Sequence, residues 1–204
     1  MLEIKLIMGL RKKIIKFFYN QKFSKKNYSA NLNNKNILIT GANSGIGLAL
    51  TKKVLSLNNN VLATYRDSFE NLQLINDKNL SIVKFDQRKI FESKELEKKI
   101  KETSIDLIFN CAGVLGGSFD SQKLEKLDFM KFQEVLMVNS FSILRIIQII
   151  LSNKSSKKNL EALINISSSG GSIKQNNQGN AYIYRASKNS FEFYNKEYVS
   201  RLKC

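Results

Sequence analysis

The chain contains no histidine and has only two cysteines, Cys111 and Cys204. The absence of histidine excludes Ser-His-Asp and Cys-His nucleophile systems and every histidine-ligated metal site. Two cysteines this far apart in sequence cannot build a disulfide framework or a four-cysteine zinc site. We therefore predict no metal centre, expect a reducing, cytoplasmic setting, and look for chemistry on other side chains.

Acidic residues are scarce, since 17 Asp and Glu face 33 Lys and Arg and the formal net charge is +16. A cationic surface can bind nucleic acid by releasing the counterions of phosphates. About half of the excess lies in residues 1–36, and the remainder is spread without a basic and aromatic recognition pattern. We interpret the excess as a solvated surface and expect no nucleic-acid partner.

The 204 residues, 43% of them apolar, suffice for one folded domain, which we place at residues 36–204 after a basic extension at residues 1–35. On a helical wheel, apolar residues of the extension gather on one side and lysines on the other. Such a helix, within residues 1–19, would make weak contact with an anionic membrane surface. A partly disordered extension, or one docked on its own domain, fits the same pattern.

Beyond the extension, short apolar strands alternate with helices, which is typical of a doubly wound α/β fold with a parallel sheet. The predicted strands are Asn36–Thr40, Asn60–Tyr65, Ser81–Phe85, Ile105–Asn110 and Glu161–Ser167. The predicted helices are Ile46–Leu57, Ser68–Ile75, Ser93–Glu102, Asp128–Leu151 and Ile183–Leu202. The apolar run Ile143–Leu151 is too short for a membrane span and predicts a buried or partner-packing helix.

A glycine-rich turn, Gly-x-x-x-Gly-x-Gly, directly follows the first predicted strand and precedes a helix. Bare backbone and the amides of a helix N-terminus suit a pyrophosphate, so the turn predicts a Rossmann-type domain that binds a dinucleotide. The predicted cofactor contacts in this turn are Gly41, Asn43, Ser44, Gly45, Ile46 and Gly47. The alternative is a tight strand-to-helix connection that binds no ligand.

The residues that end the second and third strands bear on the choice of cofactor. Arg66 stands where an acidic residue would accept a hydrogen bond from the ribose 2′-hydroxyl, and its guanidinium suits the 2′-phosphate of NADP(H). The alternative for Arg66 is an exposed loop arginine. Asp86 is predicted to accept from the adenine amino group, although a turn-forming role explains it almost as well.

The fourth strand ends in Asn110-Cys111-Ala112-Gly113, whose small side chains let the backbone pass beside the cofactor. We predict cofactor contacts at Asn110, Ala112 and Gly113. Cys111 has no histidine to activate it, so we expect it to pack as a small apolar group.

Tyr184 and Lys188 occupy positions i and i+4 of the last predicted helix and so share one of its faces. A phenol with a pKa near ~10 is too weak an acid to protonate an alkoxide readily at neutral pH. An ammonium about 4 Å away would stabilise the phenolate by roughly 4 kcal/mol at an effective dielectric of ~20. The pair alone is a common accident, but an accident becomes improbable when the pair occurs together with the glycine turn, the Asn-x-Ala-Gly end of the fourth strand and the serines after the fifth strand.

In this order the motifs resemble those of the short-chain dehydrogenase/reductase family over about residues 35–204, and especially its C-factor and sniffer-type carbonyl reductases. The resemblance implies reduction of a small aldehyde or ketone, and Arg66 favours NADPH over NADH as the coenzyme. We also expect a homo-oligomer. It implies that Tyr184 is the general acid/base and that Lys188 assists it and holds the nicotinamide ribose. It further implies that Ser168 orients the carbonyl and that Asn139 supports a water leading to Lys188.

Two departures from the family pattern leave alternatives open. Ser168 and Tyr184 are farther apart than is usual, which makes Ser169 and Ser172 rivals of Ser168, although the sniffer-type branch carries a longer loop there. Family members also continue beyond the tyrosine helix, so we expect a chain truncated at its C-terminus, without the later strands. The alternative function is a non-catalytic dinucleotide-binding or signalling protein on the same scaffold.

Overall fold

The computed structural model describes residues 32–176 and 179–190 of the chain. Residues 1–31 lie outside this part, and with them the predicted amphipathic helix and its membrane contact. The predicted end of the last helix, beyond residue 190, lies outside it as well.

Five parallel strands form one sheet in the order β3-β2-β1-β4-β5. The strands are β1 Asn36–Thr40, β2 Asn60–Tyr65, β3 Leu80–Lys84, β4 Leu107–Asn110 and β5 Ala162–Asn165. The chain reverses its direction of strand addition between β3 and β4, so β1 and β4 become neighbours at the switch point of the sheet. The predicted α/β parallel sheet is confirmed: β1 and β2 have the predicted bounds, and the ends of β3, β4 and β5 differ by at most two residues.

Alternation of side chains along the strands builds a core on each face of the sheet. Leu38 and Ile108 face one cluster, which includes Ile146 of a covering helix, while Ile37 and Phe109 face the other. The central strands are therefore apolar at successive positions because both of their faces are covered.

Seven α-helices are described among residues 32–176 and 179–190. They are α1 Gly45–Leu55, α2 Glu70–Gln73, α3 Lys94–Glu102, α4 Phe129–Leu136, α5 Ser142–Ser152, α6 Lys154–Asn159 and α7, residues 182–190. Short 3-10 turns cover Asp120–Gln122, Leu124–Lys126 and Ser169–Gly171. The sequence prediction missed α6, whose N-terminus is capped by Asn153 through a hydrogen bond from Ser156 N–H.

The helical stretch Phe129–Ser152, which comprises α4, α5 and the turn between them, is long and apolar enough to cross a membrane by length and composition. More than half of its most apolar window, 56%, is buried inside the protein. Ile143, Ile146 and Ile150 of α5 pack into the core with Leu96 and Ile100 of α3. The α5 part of the stretch is thus a core helix, as the sequence predicted for Ile143–Leu151.

The last residues of the extension already pack on the domain. Leu32 is buried in the cluster that contains Leu50 and Val54 of α1. The backbone N–H of Lys35 donates to Oδ1 of Asn59 at 2.9 Å, so residues 32–35 continue the fold toward β1.

Candidate active site

The carboxyl ends of β1, β2, β4 and β5 bring the predicted site residues to one edge of the sheet. The glycine turn follows β1, Arg66 follows β2, Gly113 follows β4 and Ser168 follows β5. In open parallel sheets this edge, at the switch point, is where nucleotides bind.

The glycines of the turn serve three different purposes. Gly41 has φ +61°, and a Cβ there would lie 2.9 Å from the Cα of Ala112, so β1 and β4 approach too closely for any side chain. A Cβ on Gly47 would collide with the carbonyl oxygen of Gly41. Gly45 has φ +52° and nothing within 4 Å of its ideal Cβ position, which leaves open space at the start of α1.

Ser44 stands at the N-cap of α1, and its side chain makes no capping hydrogen bond. The first amides of α1 are therefore not satisfied by a cap, while Ser44, Gly45 and Ile46 are exposed. Exposed backbone and a helix N-terminus together fit the pyrophosphate of a dinucleotide.

Asn43 holds this turn in place through its side chain. Its Oδ1 accepts from Leu72 N–H of α2 at 3.2 Å, and its Nδ2 donates to Ser68 Oγ at 3.3 Å. The carbonyl of Asn43 also accepts from Asn71 Nδ2 at 3.0 Å. Asn43 therefore ties the glycine turn to the segment after β2 that carries Arg66.

Thr40, which the sequence analysis did not single out, joins the two central strands beneath the turn. Its hydroxyl donates to Oδ1 of Asn110 at 2.8 Å and accepts from the N–H groups of Cys111 and Ala112, each at 3.1 Å. The side chain of Asn110 thus faces Thr40, and both residues are buried. The only sequence feature that points to this role of Thr40 is its position at the end of a strand, directly before a glycine turn.

Arg66 projects from the end of β2 and pairs with its neighbour Asp67, with Nε and Oδ2 2.5 Å apart. Its side chain remains 46% exposed, so a phosphate can reach it. Arg88 lies on the other side of Asp67, at 3.7 Å. The two arginines therefore flank one carboxylate at the position predicted for the 2′-phosphate.

Asp86 follows β3 and receives hydrogen bonds from Arg88, including one from Nη2 at 2.6 Å. Burial alone would raise the pKa of Asp86, but these hydrogen bonds and the charge of Arg88 hold that pKa below its ordinary value. The carboxylate that we predicted to contact adenine is ionised and paired with Arg88 in this structure.

Tyr184, Ser168 and Lys188 meet beside the backbone of Gly170 and Gly113. A Cβ on Gly170 would lie 3.3 Å from Ser168 Oγ and 3.4 Å from Cε1 of Tyr184. A Cβ on Gly113 would lie 3.5 Å from Lys188 Nζ. The sequence-predicted tyrosine, serine and lysine are therefore brought together at the end of the sheet.

Lys188 is 6% exposed, and its Nζ lies 5.9 Å from the centroid of the Tyr184 ring. Nζ also donates to the carbonyl of Ile166 at 3.1 Å. Burial lowers the pKa of Lys188 because it disfavours the charged form.

Asn139 lies in a π-helical turn, Met137–Phe141, between α4 and α5. Its Oδ1 accepts from the N–H of Val114 at 2.8 Å, and its Nδ2 donates to the carbonyl of Val114 at 2.9 Å and to Ser187 Oγ at 2.9 Å. The side chain therefore connects the loop after β4 to α7. Such π turns occur frequently at functional sites, and no pattern in the sequence predicted this one.

Cys111 is partly buried against the apolar cluster that contains Ile37 and Phe109, and burial raises the pKa of its thiol to about 12. The expected packing role of Cys111 agrees with this environment, since a neutral thiol is a poor nucleophile. Among residues 32–176 and 179–190, no cluster of three or more acidic or cysteine side chains is placed to hold a metal ion.

A cavity of about 270 Å³ borders Gly170 and Gly171 and lies against α7. Tyr182, Arg185 and Asn189 line it at helical spacing, together with Ser172 and Ile173 of the loop after β5. Its lining, as far as the structure describes it, includes neither Tyr184 nor Ser168, although Gly170 lies beside both of these side chains.

The fold is shared with several solved reductases. The Caenorhabditis elegans protein assigned as the carbonyl reductase Sniffer is 26% identical, with a TM-score of 0.70 over 83% of this chain and 80% of that one. An NADPH-bound carbonyl reductase from chicken fatty liver is 27% identical, with a TM-score of 0.64 over 79% of this chain and 68% of that one. A carbonyl reductase from Pseudomonas aeruginosa, 21% identical, has a TM-score of 0.69 over 82% and 77% of the two chains.

No curated protein is significantly similar to the chain in sequence. The family model described as short chain dehydrogenase, in contrast, matches residues 35–200 and so spans the glycine turn, the strand ends and the Tyr184–Lys188 helix. The chain is an NAD(P)-dependent oxidoreductase that belongs to the short-chain dehydrogenase family.

Proposed function

We propose that the chain reduces an aldehyde or ketone to an alcohol with NADPH as its coenzyme. The observation that carries this proposal is the convergence of Tyr184, Ser168 and Lys188 at the sheet edge where the glycine turn opens. A carbonyl placed there meets a hydroxyl donor, an acid and a cation, which are the groups that its reduction needs. Bound NADPH would supply the hydride for the carbonyl carbon.

Each side chain has one role at the substrate oxygen. Ser168 Oγ accepts from Gly170 N–H at 3.1 Å, and this bond leaves its own hydrogen to donate to the carbonyl oxygen. Tyr184 transfers its phenolic proton to that oxygen as the carbon gains the hydride and the C=O π bond breaks. Lys188 stabilises the phenolate that remains, which then takes a proton from solvent. Carbonyl, NADPH and one proton thus give alcohol and NADP⁺.

The coenzyme preference follows from the charges around Arg66. Its ion pair with Asp67 is exposed, and exposed pairs stabilise a protein by only ~0–1 kcal/mol. A charge-assisted hydrogen bond to a phosphate is worth about 1.5–3 kcal/mol. For Arg66, replacing the ion pair with Asp67 by a hydrogen bond to the 2′-phosphate is therefore favourable. This difference supports NADPH over NADH as the coenzyme.

The relatives support a carbonyl substrate. Two structures above 25% identity are carbonyl reductases by name, and one of them is described as NADPH bound. Similarity to the Sniffer structure also supports placing this chain in the sniffer-type branch.

The test is turnover by the full chain with a panel of aldehydes and ketones, followed as NADPH oxidation with identification of the alcohol. We expect steady oxidation, with a higher kcat/KM for NADPH than for NADH. Replacement of Arg66 by Gln should reduce this preference about tenfold, the ratio that 1.4 kcal/mol represents. Tight binding of NADPH with no turnover on any carbonyl would instead indicate the non-catalytic binding module.

A further inference from the structure

The helix that carries Tyr184 begins without a side-chain cap of its own. Ala181 precedes α7 and accepts its first helical hydrogen bond, from Arg185 N–H at 2.9 Å. The first N–H groups of a helix have no partner within it, and a Ser, Thr, Asn or Asp oxygen at the cap position usually accepts one of them. Alanine offers no such oxygen, so the N–H of Tyr184 needs an acceptor from elsewhere in the fold.

Gln122 is that acceptor, although it lies 62 residues away in sequence. Its Oε1 accepts from Tyr184 N–H at 3.1 Å, and its Nε2 donates to the carbonyl of Leu115 at 2.9 Å. Gln122 is 0% exposed, whereas the other residues in 117–126 are all exposed. A buried amide costs free energy unless its polar atoms are bonded, and here both ends are bonded.

These two bonds complete a closed ring of hydrogen bonds that connects the backbone of Tyr184 with the loop after β4. Leu115 directly follows Val114, which is bonded through its N–H and its carbonyl to Asn139. Asn139 donates to Ser187 Oγ, and Ser187 in turn donates to the carbonyl of Tyr184 at 2.7 Å. The buried glutamine completes the ring from Tyr184 N–H back to the loop after β4.

We propose that Gln122 is a positioning residue for Tyr184, holding the first turn of α7 at a fixed distance from the loop after β4. Gln122 acts through the backbone and does not contact the reacting atoms. This inference rests on the proposed function, because it assigns to Tyr184 the proton transfer to substrate. Proton transfer requires donor and acceptor within about 2.6–3.2 Å, so a displaced first turn slows catalysis while the glycine turn still binds the coenzyme.

The primary variant is Gln122→Met, which keeps the volume and removes both hydrogen bonds. Its matched control is Gln148→Met, at an exposed position of α5. We expect Gln122→Met to lower kcat by about 10- to 100-fold, the scale of a misplaced catalytic group, with KM for the carbonyl and Kd for NADPH nearly unchanged. The solvent isotope effect on kcat should rise because proton transfer becomes slower, and the control should change none of these quantities.

A second variant, Gln122→Glu, separates positioning from general stability. A protonated carboxyl can accept from Tyr184 N–H and donate to Leu115, whereas an ionised one cannot donate. The kcat of Gln122→Glu relative to wild type should therefore rise as the pH falls from about 8 to about 6, since burial raises the pKa of a carboxyl into that range.

Amide hydrogen exchange over residues 182–190 supplies a readout that does not depend on turnover. Exchange should accelerate in Gln122→Met and remain unchanged in Gln148→Met. An unchanged kcat, or a parallel loss of kcat and NADPH affinity, would overturn the positioning role. If the wild-type chain reduces no carbonyl, the proposed function fails. In that case, unchanged amide hydrogen exchange in Gln122→Met would separately refute the attachment of α7 by Gln122.

Discussion

Thr40 donates a hydrogen bond to Asn110 at 2.8 Å, and this single contact between two buried side chains links the ends of β1 and β4. The same hydroxyl oxygen accepts from Cys111 N–H and Ala112 N–H. One small side chain thus sets the spacing between the glycine turn and the loop that leads to Gly113. We therefore expect nucleotide binding to depend on Thr40 through its contacts with Asn110, Cys111 and Ala112.

Thr40→Val should test this arrangement because valine has nearly the same shape but cannot hydrogen-bond. One buried oxygen and two partly buried N–H groups lose their partner, each at about 1–3 kcal/mol when no water replaces it. We therefore expect a fall of about 2 kcal/mol or more in the free energy of unfolding. Urea denaturation measures the change, and NADPH affinity should fall as well. The control is Thr51→Val, since buried Thr51 only bonds to Gly47 within its own helix. Equal stability of the two variants would contradict this role of Thr40.

Substitutions of Gly47 and Gly113 should separate effects on folding from effects on coenzyme binding. Gly47→Ala places a Cβ against the carbonyl of Gly41 and should destabilise the fold. Gly113→Ala meets only Asn139 Oδ1 and Lys188 Nζ, at 3.4 and 3.5 Å, so the fold should tolerate it. Its methyl group would occupy the exposed surface expected to face the coenzyme, and we expect at least a tenfold weaker Kd for NADPH with a nearly unchanged urea midpoint. A destabilised Gly113→Ala protein would show that Gly113 serves packing instead.

Asp67→Asn should strengthen the binding of NADPH relative to NADH. The substitution releases Arg66 from its carboxylate partner and removes a negative charge near the expected 2′-phosphate. We expect a shift of about threefold to tenfold in the ratio of the two dissociation constants, measured by fluorescence titration at low salt. Glu102→Gln removes one carboxylate from an exposed ion pair at the end of α3, before β4 begins, and should leave the ratio unchanged. A weaker relative affinity for NADPH in Asp67→Asn would refute competition between Asp67 and the phosphate.

The thiol of Cys111 should resist alkylation in the native protein. Its pKa of about 12 leaves only a small thiolate fraction at pH ~8, and this fraction grows about tenfold for each unit of pH below the pKa. In a Cys204→Ser background, iodoacetamide should label Cys111 rapidly in urea and slowly in the native state, as mass spectrometry would show. Rapid native labelling near pH 7 would contradict the burial of this thiol.

The sequence predicted the sheet and the glycine turn because their signals are local. Ile37, Leu38 and Ile39 mark a strand covered on both faces, and the glycines that follow mark the turn. Tyr184 and Lys188 were found because four-residue spacing places them on one helix face. The local sequence pattern was sufficient to predict a feature wherever the residues in contact lie within one helix or strand, or in the turn that adjoins it.

The remaining features depend on partners distant in sequence. Nothing near Gln122 indicates that it lies beside Tyr184, and nothing near Thr40 indicates that it bonds to Asn110. The π turn at Asn139 follows from packing against Val114 and α7, which periodicity along one helix cannot reveal. Asn43 stays a predicted coenzyme contact, and the hydrogen bond from Leu72 N–H of α2 to its side chain was not predictable from the sequence around it.

Carbonyl reduction with Tyr184 as the proton donor is tested most directly by measuring carbonyl-dependent NADPH oxidation. The three proteins to compare are wild type, Tyr184→Phe and the matched control Tyr182→Phe. Tyr182 is 45% exposed at the start of the same helix and lines the cavity that borders Gly170. General acid catalysis contributes about 10²–10⁴-fold, so kcat should fall by that factor in Tyr184→Phe, with NADPH affinity kept and Tyr182→Phe close to wild type. Undiminished turnover in Tyr184→Phe would contradict proton donation by Tyr184 and, with it, the proposed carbonyl reduction at this site.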